Sequence, residues 1–381
     1  MNQMSLHSRI SRRRVAQIIG SGAVASSMPW LFTAPAARAE DAIAANVVIP
    51  EPVVFPRDSG IHDDTATEWW YYTGHLFTEA QEQYGFEYVI FRARRGDISG
   101  FVSHFAITDN PAGKFTFAQQ IVGADGVIGS DAVLDLDVNG WTMTGEAGND
   151  RLRAAMDGYG INFKLEPGKP AAMHRGNGFI DYGNGTYSYY YSRTRMPLIG
   201  FLRVGDQNLR VEGAGWMDHQ WGNFTTFEDG GWDWYAVQLD DDHELMLYVV
   251  HDSAGTPLVV DGSIVEPDGS LTALEKDDFS IEATGTWTSP KTGTTWPHGW
   301  QVTVGTQQID ISIEPTMPDQ ELDTRYSTGI IYWEGQSKVT GTRMGEPITG
   351  NAYVELTGYA PVEQAAALGP GATPVTESSG G

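Results

Sequence analysis

Ile309, Ile311 and Ile313 alternate with Asp310 and Ser312, the period-two pattern of a strand with one buried face. Lys114-Phe115-Thr116-Phe117 repeats that pattern, and further strand-like runs lie at 101–109, 187–193, 244–251, 330–339 and 352–359. Gly, Asn and Asp punctuate these runs every 8 to 14 residues or so, roughly the rhythm of antiparallel barrels or sandwiches. No segment beyond residue 39 sustains a 3.6-residue apolar period; residues 362–368 predict one or two helical turns. The tail from Gly369 is rich in Gly, Pro, Thr and Ser and predicts disorder. The chain is therefore expected to be all-β. Closed antiparallel barrels suit it, because closure removes exposed edges and leaves an interior for apolar side chains or a ligand. Periodicity alone does not separate barrels from sandwiches.

One aromatic block breaks the alternation, and it occurs twice. Glu68-Trp69-Trp70-Tyr71-Tyr72-Thr73-Gly74-His75-Leu76 aligns without gaps on residues 231–239, 163 positions later. Trp69/Trp232, Tyr71/Trp234, Tyr72/Tyr235 and Leu76/Leu239 keep their character, and residues 87–91 echo 244–248. A long-period echo implies one structural unit used twice. The expected organisation is an export label at 1–39, one barrel at 40–225, a second at 226–362 and a disordered tail at 363–381.

The label begins with Ser11-Arg12-Arg13-Arg14-Val15, a twin-arginine-type start, followed by a short uncharged apolar stretch and an Ala37-Arg38-Ala39 cleavage site. That stretch is too short to span a membrane. The twin-arginine export machinery is thus an expected partner, and the periplasm or the exterior the expected location. The label carries five of the 24 basic residues and none of the 49 acidic ones, so the remainder has a net charge of −30. Such a surface repels nucleic acid and anionic lipid. The absence of cysteine removes disulfides, thiolate metal sites and lipid attachment.

Several phrases resemble the AttH-type, lipocalin-like family that includes carotenoid 1,2-hydratases. They are 68–76, Phe91-Arg92, 104–109, 190–196, 215–222, 232–235, 332–335 and 355–359, in the family's order. The resemblance implies two lipocalin-like antiparallel β-barrels packed against each other and an apolar small-molecule ligand. It does not fix the reaction. In the family's hydratases a His-x-Trp pair works with a Tyr and an Asp on a following strand. His219, Trp221 and Tyr248 match; Val249 and Val250 follow Tyr248 where the acid is expected.

Asp218-His219-Gln220-Trp221 is the strongest chemical cluster. Hydration of an alkene needs a proton donor in an apolar pocket and shelter for a cation. His219 with Asp218 would supply the acid and base, and Trp221 and Tyr248 would wall the cation; the cavity is expected near the domain junction. Alternatively Asp218 and His219 form a buried brace. Trp70, Tyr72, Trp232 and Trp234 are candidate ligand-lining residues. Arg92 and His104, with Glu68, would converge inside or at the mouth of the first barrel, to organise the fold or to hold a polar ligand group. Asp135-x-Asp137-x-Asn139-Gly140 with Glu146 imitates a calcium loop, but the flanking alternation and Asn139-Gly140 predict a hairpin turn instead. The nine histidines show no i,i+2 or i,i+4 pair, and nucleophile-elbow and dinucleotide motifs are missing, so no cofactor or metal is expected. The functional expectation is an exported, cofactor-independent hydratase or isomerase of an isoprenoid-like alkene. The rival is a non-enzymatic carrier of a hydrophobic ligand.

Overall fold

The computed structural model describes residues 50–183, 185–224 and 230–360. The export label, the helical turns expected at 362–368 and the tail fall outside the described residues.

Two large antiparallel sheets each curl around their own apolar core. The first runs, strand beside strand, through Lys114–Gly123, Ile98–Asp109, Gln83–Arg95, Thr67–Thr78, Gln207–Asn223 and Thr186–Val204. It continues through Tyr159–Leu165, Asn149–Met156, Trp141–Glu146, Leu134–Val138 and Val127–Gly129. The second runs through Leu271–Leu274, Pro257–Val265, Glu244–Asp252, Gly230–Leu239, Glu346–Leu356, Ile331–Arg343, Ile309–Pro315, Trp300–Val304 and Phe279–Ala283. In each, the opening strand lies between the second strand and the last one, so the two sheets share one winding. Asn139 and Gly140, with φ of 51° and 88°, make the two-residue turn between Leu134–Val138 and Trp141–Glu146. The acidic residues there belong to a hairpin rather than a calcium loop.

The repeated aromatic block is dense because its strands are covered on both faces. Trp70, Tyr72 and Leu76 fill the first barrel, while Tyr71 packs outward against the second. In the second copy, Tyr235, Val237 and Leu239 point inward and Trp234 and Ala236 outward. The two copies meet at the junction, where Tyr71 and Trp234 stand edge to face with ring centroids 5.4 Å apart. A fully buried aromatic of this size contributes about 1.5–3 kcal/mol. By contrast Asn149–Met156 alternates strictly between buried and exposed positions, since only one of its faces is covered.

Candidate functional site

Asp218 and His219 point to opposite faces of the sheet, as adjacent strand residues must. The expected acid–base pair is therefore not formed. Asp218 faces the junction, where its carboxylate accepts from Ser192, Tyr190 and Trp216 Nε1. Burial raises that carboxyl to about 6, although these three donors pull it down. His219 faces the interior of the first barrel and is fully buried. Its ring stacks on Trp70 at 4.9 Å, lies 4.6 Å from Trp221 and stands edge-on to Tyr191 at 5.4 Å. The site thus belongs to the first barrel, not to a cavity at the junction.

The segment 50–66 crosses the end of this barrel where the first strand begins. Ile61 N–H donates to the Ser130 carbonyl, Ala66 N–H to that of Gly222, and Trp70 Nε1 to that of Ser59. Arg92 fastens the segment from below: its guanidinium donates to the carbonyls of His62 (3.0 Å), Thr65 (3.3 Å) and Asp63 (3.0 Å). His62, carried on this strap, is the member of the cluster that sequence patterning missed. It lies flat on Trp221, with centroids 4.1 Å apart and planes 6° from parallel. Its side chain is 12% exposed, which makes it the doorway of the cluster.

Glu68 holds the centre. Its Oε1 lies 2.7 Å from His62 Nδ1 and 3.0 Å from His219 Nε2. Its Oε2 accepts from the His62 backbone N–H at 3.0 Å, with Arg92 Nη1 3.8 Å away. The outer ring nitrogens are anchored too: His62 Nε2 is 3.2 Å from Asp58 Oδ1, and His219 Nδ1 is 3.1 Å from the Asp58 carbonyl. Burial alone would raise the Glu68 carboxyl, but hydrogen bonds from His219 and His62 hold it below its ordinary value. Burial works against charge on His62, yet Asp58 and Glu68 raise it to about 9. His219 is lowered by burial in spite of Glu68. The nearest donor atoms of His62, Glu68 and His219 all lie within 4.8 Å of one another, a grouping that could hold a metal ion.

The other sequence candidates separate. Trp70 and Trp221 join the cluster, and Arg92 positions its strap. Tyr72 is inside the same barrel but donates to Asp150 at 2.9 Å instead. His104 does not converge with Arg92 and Glu68. Its register partner Val89 sits on the junction face, and its ring bridges to Tyr332 Oη (2.6 Å) and Ser327 Oγ (2.9 Å) of the second barrel. Tyr248 lies beside Asp261 on the second barrel's outer face, with Trp234 as its cross-strand neighbour, so it walls nothing around His219. Trp232 and Trp234 are junction residues, Trp234 Nε1 donating to Tyr190 Oη at 3.1 Å.

The junction also buries carboxyls. Glu87 and Glu334 are wholly covered, and neither oxygen of Glu87 finds a hydrogen-bond partner among the described residues; Glu334 accepts from Tyr71 at 2.8 Å. Glu355 is the direct cross-strand neighbour of Glu334. Burial, then repulsion from Glu355, raises Glu87 and Glu334 well above the ordinary carboxyl range, and burial pushes Glu355 up to about 7. Two shallow concavities, one lined by Ala154, Ile161 and Phe201 and the other by Phe77, Lys164 and Glu212, contain none of these residues.

Two barrels of identical winding, joined through the outer faces of their first strands, define a tandem lipocalin-like β-barrel protein. The chain belongs to the AttH-like family, whose model matches residues 46–359. The crystal structure of an AttH protein from Nitrosomonas europaea is similar at 31% identity and a TM-score of 0.74, over 82% of this chain and 99% of that one. Kievitone hydratase from Nectria haematococca shares the fold at 16% identity and a TM-score of 0.67, over 82% of this chain and 94% of that one. No curated protein sequence matches the chain.

Proposed function

We propose that the protein is an exported enzyme that hydrates or isomerises the double bond of an apolar, isoprenoid-like small molecule. The observation that carries this reading is the Glu68 carboxylate held between two imidazoles, one at a doorway and both against indole faces. Hydration delivers a proton to one alkene carbon, shelters the cation left on the other, and takes a proton back from the incoming water. His62, the member nearest solvent, hands over the proton; Glu68 and His219 receive one from water and restore the set. Trp70, Tyr191 and Trp221 supply the shelter, each aromatic face contributing roughly 0.5–2 kcal/mol to a nearby cation. Membership of the AttH-like family and a fold shared with kievitone hydratase support the choice of reaction class. The twin-arginine-type start supports a role in the periplasm or outside. A carotenoid suits the protein less than a smaller alkene does, since carotenoids reside in membranes and this chain is strongly acidic.

The test is incubation of the purified protein with prenylated and terpenoid alkenes in heavy-oxygen, deuterated water. Hydration installs both labels, isomerisation deuterium alone; no label in any alkene would sink the enzyme reading. A carrier is the second reading, favoured by the apolar lining that Trp70, Tyr72, Phe86 and Tyr88 give the first barrel. His62→Ala separates the two: a carrier keeps its ligand, whereas the enzyme binds and stops turning over.

A further inference from the structure

Each ring nitrogen of His219 faces an accepting oxygen, the Asp58 carbonyl at 3.1 Å and Glu68 Oε1 at 3.0 Å, and Nδ1 also meets the Tyr191 hydroxyl at 3.3 Å, which can donate to it. The ring nitrogens of His62 also face accepting oxygens, Asp58 Oδ1 at 3.2 Å and Glu68 Oε1 at 2.7 Å. A neutral imidazole has one N–H and can satisfy only one such acceptor. If each outer nitrogen donates to Asp58, the two inner nitrogens and Glu68 Oε1 turn three lone pairs on one another. In that arrangement a positive centre is required among them. Protons are one answer, and a metal ion is the other.

We propose that His62 Nδ1, Glu68 Oε1 and His219 Nε2 form a three-ligand site for a zinc-class divalent cation, which competes there with protons. Two imidazoles and a carboxylate are the protein donor set of a catalytic-type zinc site. The outer contacts are those that metal-bound histidines use, one to a carboxylate and one to a backbone carbonyl. Zinc bonds of about 2.0–2.1 Å set neighbouring donors roughly 3.3–3.5 Å apart. The two oxygen–nitrogen separations, 2.7 and 3.0 Å, need to open by roughly 0.3–0.8 Å, the two nitrogens lie within 4.8 Å of each other, and His62, at the doorway, is the ligand placed to adjust. The charges that face the site are nearly balanced. Asp58, paired with Arg57, and Glu68 contribute negative charge, Arg92 lies 3.8 Å from the oxygen that would not bind, and exposed Asp63 pairs with Arg92. The sequence conceals the site because the two histidines are 157 residues apart.

On the functional reading above, a metal that takes these lone pairs removes the protons the reaction needs, so the ion silences turnover. Binding itself does not depend on that reading and is measured without any alkene. The experiment is titration of the chelator-treated purified protein with Zn²⁺ by calorimetry, and with Co²⁺ by visible absorption. One equivalent should bind with the intense bands of four-coordinate cobalt. His62→Ala should lose those bands and weaken Zn²⁺ binding at least 100-fold, and Asp58→Asn should weaken it about 10–100-fold by loosening the second shell. Circular dichroism confirms that each variant is folded, and Glu68→Gln gives a second ligand deletion. Equal uptake by wild type and His62→Ala, which the acidic surface alone would give, overturns the proposal. So does a six-coordinate cobalt spectrum. If Zn²⁺ binds at the site while turnover is unaffected, the competition with protons is overturned.

Discussion

The mouth of the first barrel and the junction between barrels both bury carboxyls, and they treat them in opposite ways. Glu68 is surrounded by two imidazoles, a backbone N–H and a guanidinium, and it stays ionised. Glu87 and Glu334 are surrounded by tyrosines and by Glu355, and burial raises both well above the ordinary carboxyl range, toward the neutral form. A buried charge persists only where partners compensate for lost water; otherwise the group neutralises itself. The mouth therefore holds a compensated buried charge, whereas the junction holds carboxyls that burial pushes toward neutrality.

The same substitution in the two places breaks the comparison most sharply. Glu68→Gln removes the centre of a buried ion-paired set and should cost about 3–5 kcal/mol in denaturant unfolding. His104→Ala comes next. It strands the Tyr332 hydroxyl at the junction, at about 1–3 kcal/mol for a group left unsatisfied, while the Ser327 hydroxyl keeps the Thr324 carbonyl. The pH dependence follows in size. Glu355 has a folded value raised from 4.5 to about 7, so its favourable contribution is complete below 4.5 and is lost as pH rises through about 7. Melting temperature should fall across that window in wild type and fall less steeply in Glu355→Gln. Smallest of all is Glu87→Gln, which replaces a carboxyl that burial pushes toward its neutral form and should change stability by less than about 1 kcal/mol. A large loss there would mean that Glu87 is ionised and that the contrast between the two regions is false.

What the sequence disclosed follows the same division. Strands with one solvent face, such as Ile309–Pro315, announce themselves by alternation, and the duplicated aromatic block announces the repeated winding. Within that block both faces are buried, so the period-two signal disappears and inward and outward residues cannot be told apart. Trp70 was recognisable as a candidate, but its place beside His219 was not. The adjacency of Asp218 and His219 already forbade their pairing on a strand, a constraint that outweighs their chemical affinity. His62 left almost no trace, because a strap residue carries no periodicity. Its one local signal is the spacing of Asp58, four positions before it, and Glu68, six after.

The claim that matters most is that chemistry resides at the first barrel's mouth. It is tested most directly by heavy-oxygen incorporation into a turned-over alkene, compared among wild type, His62→Gln and His174→Gln, a fully covered junction histidine that contacts Ser192. Label present in wild type and His174→Gln but lost in His62→Gln is the predicted result. Label retained in His62→Gln and lost in His174→Gln would move the chemistry to the junction and contradict the account.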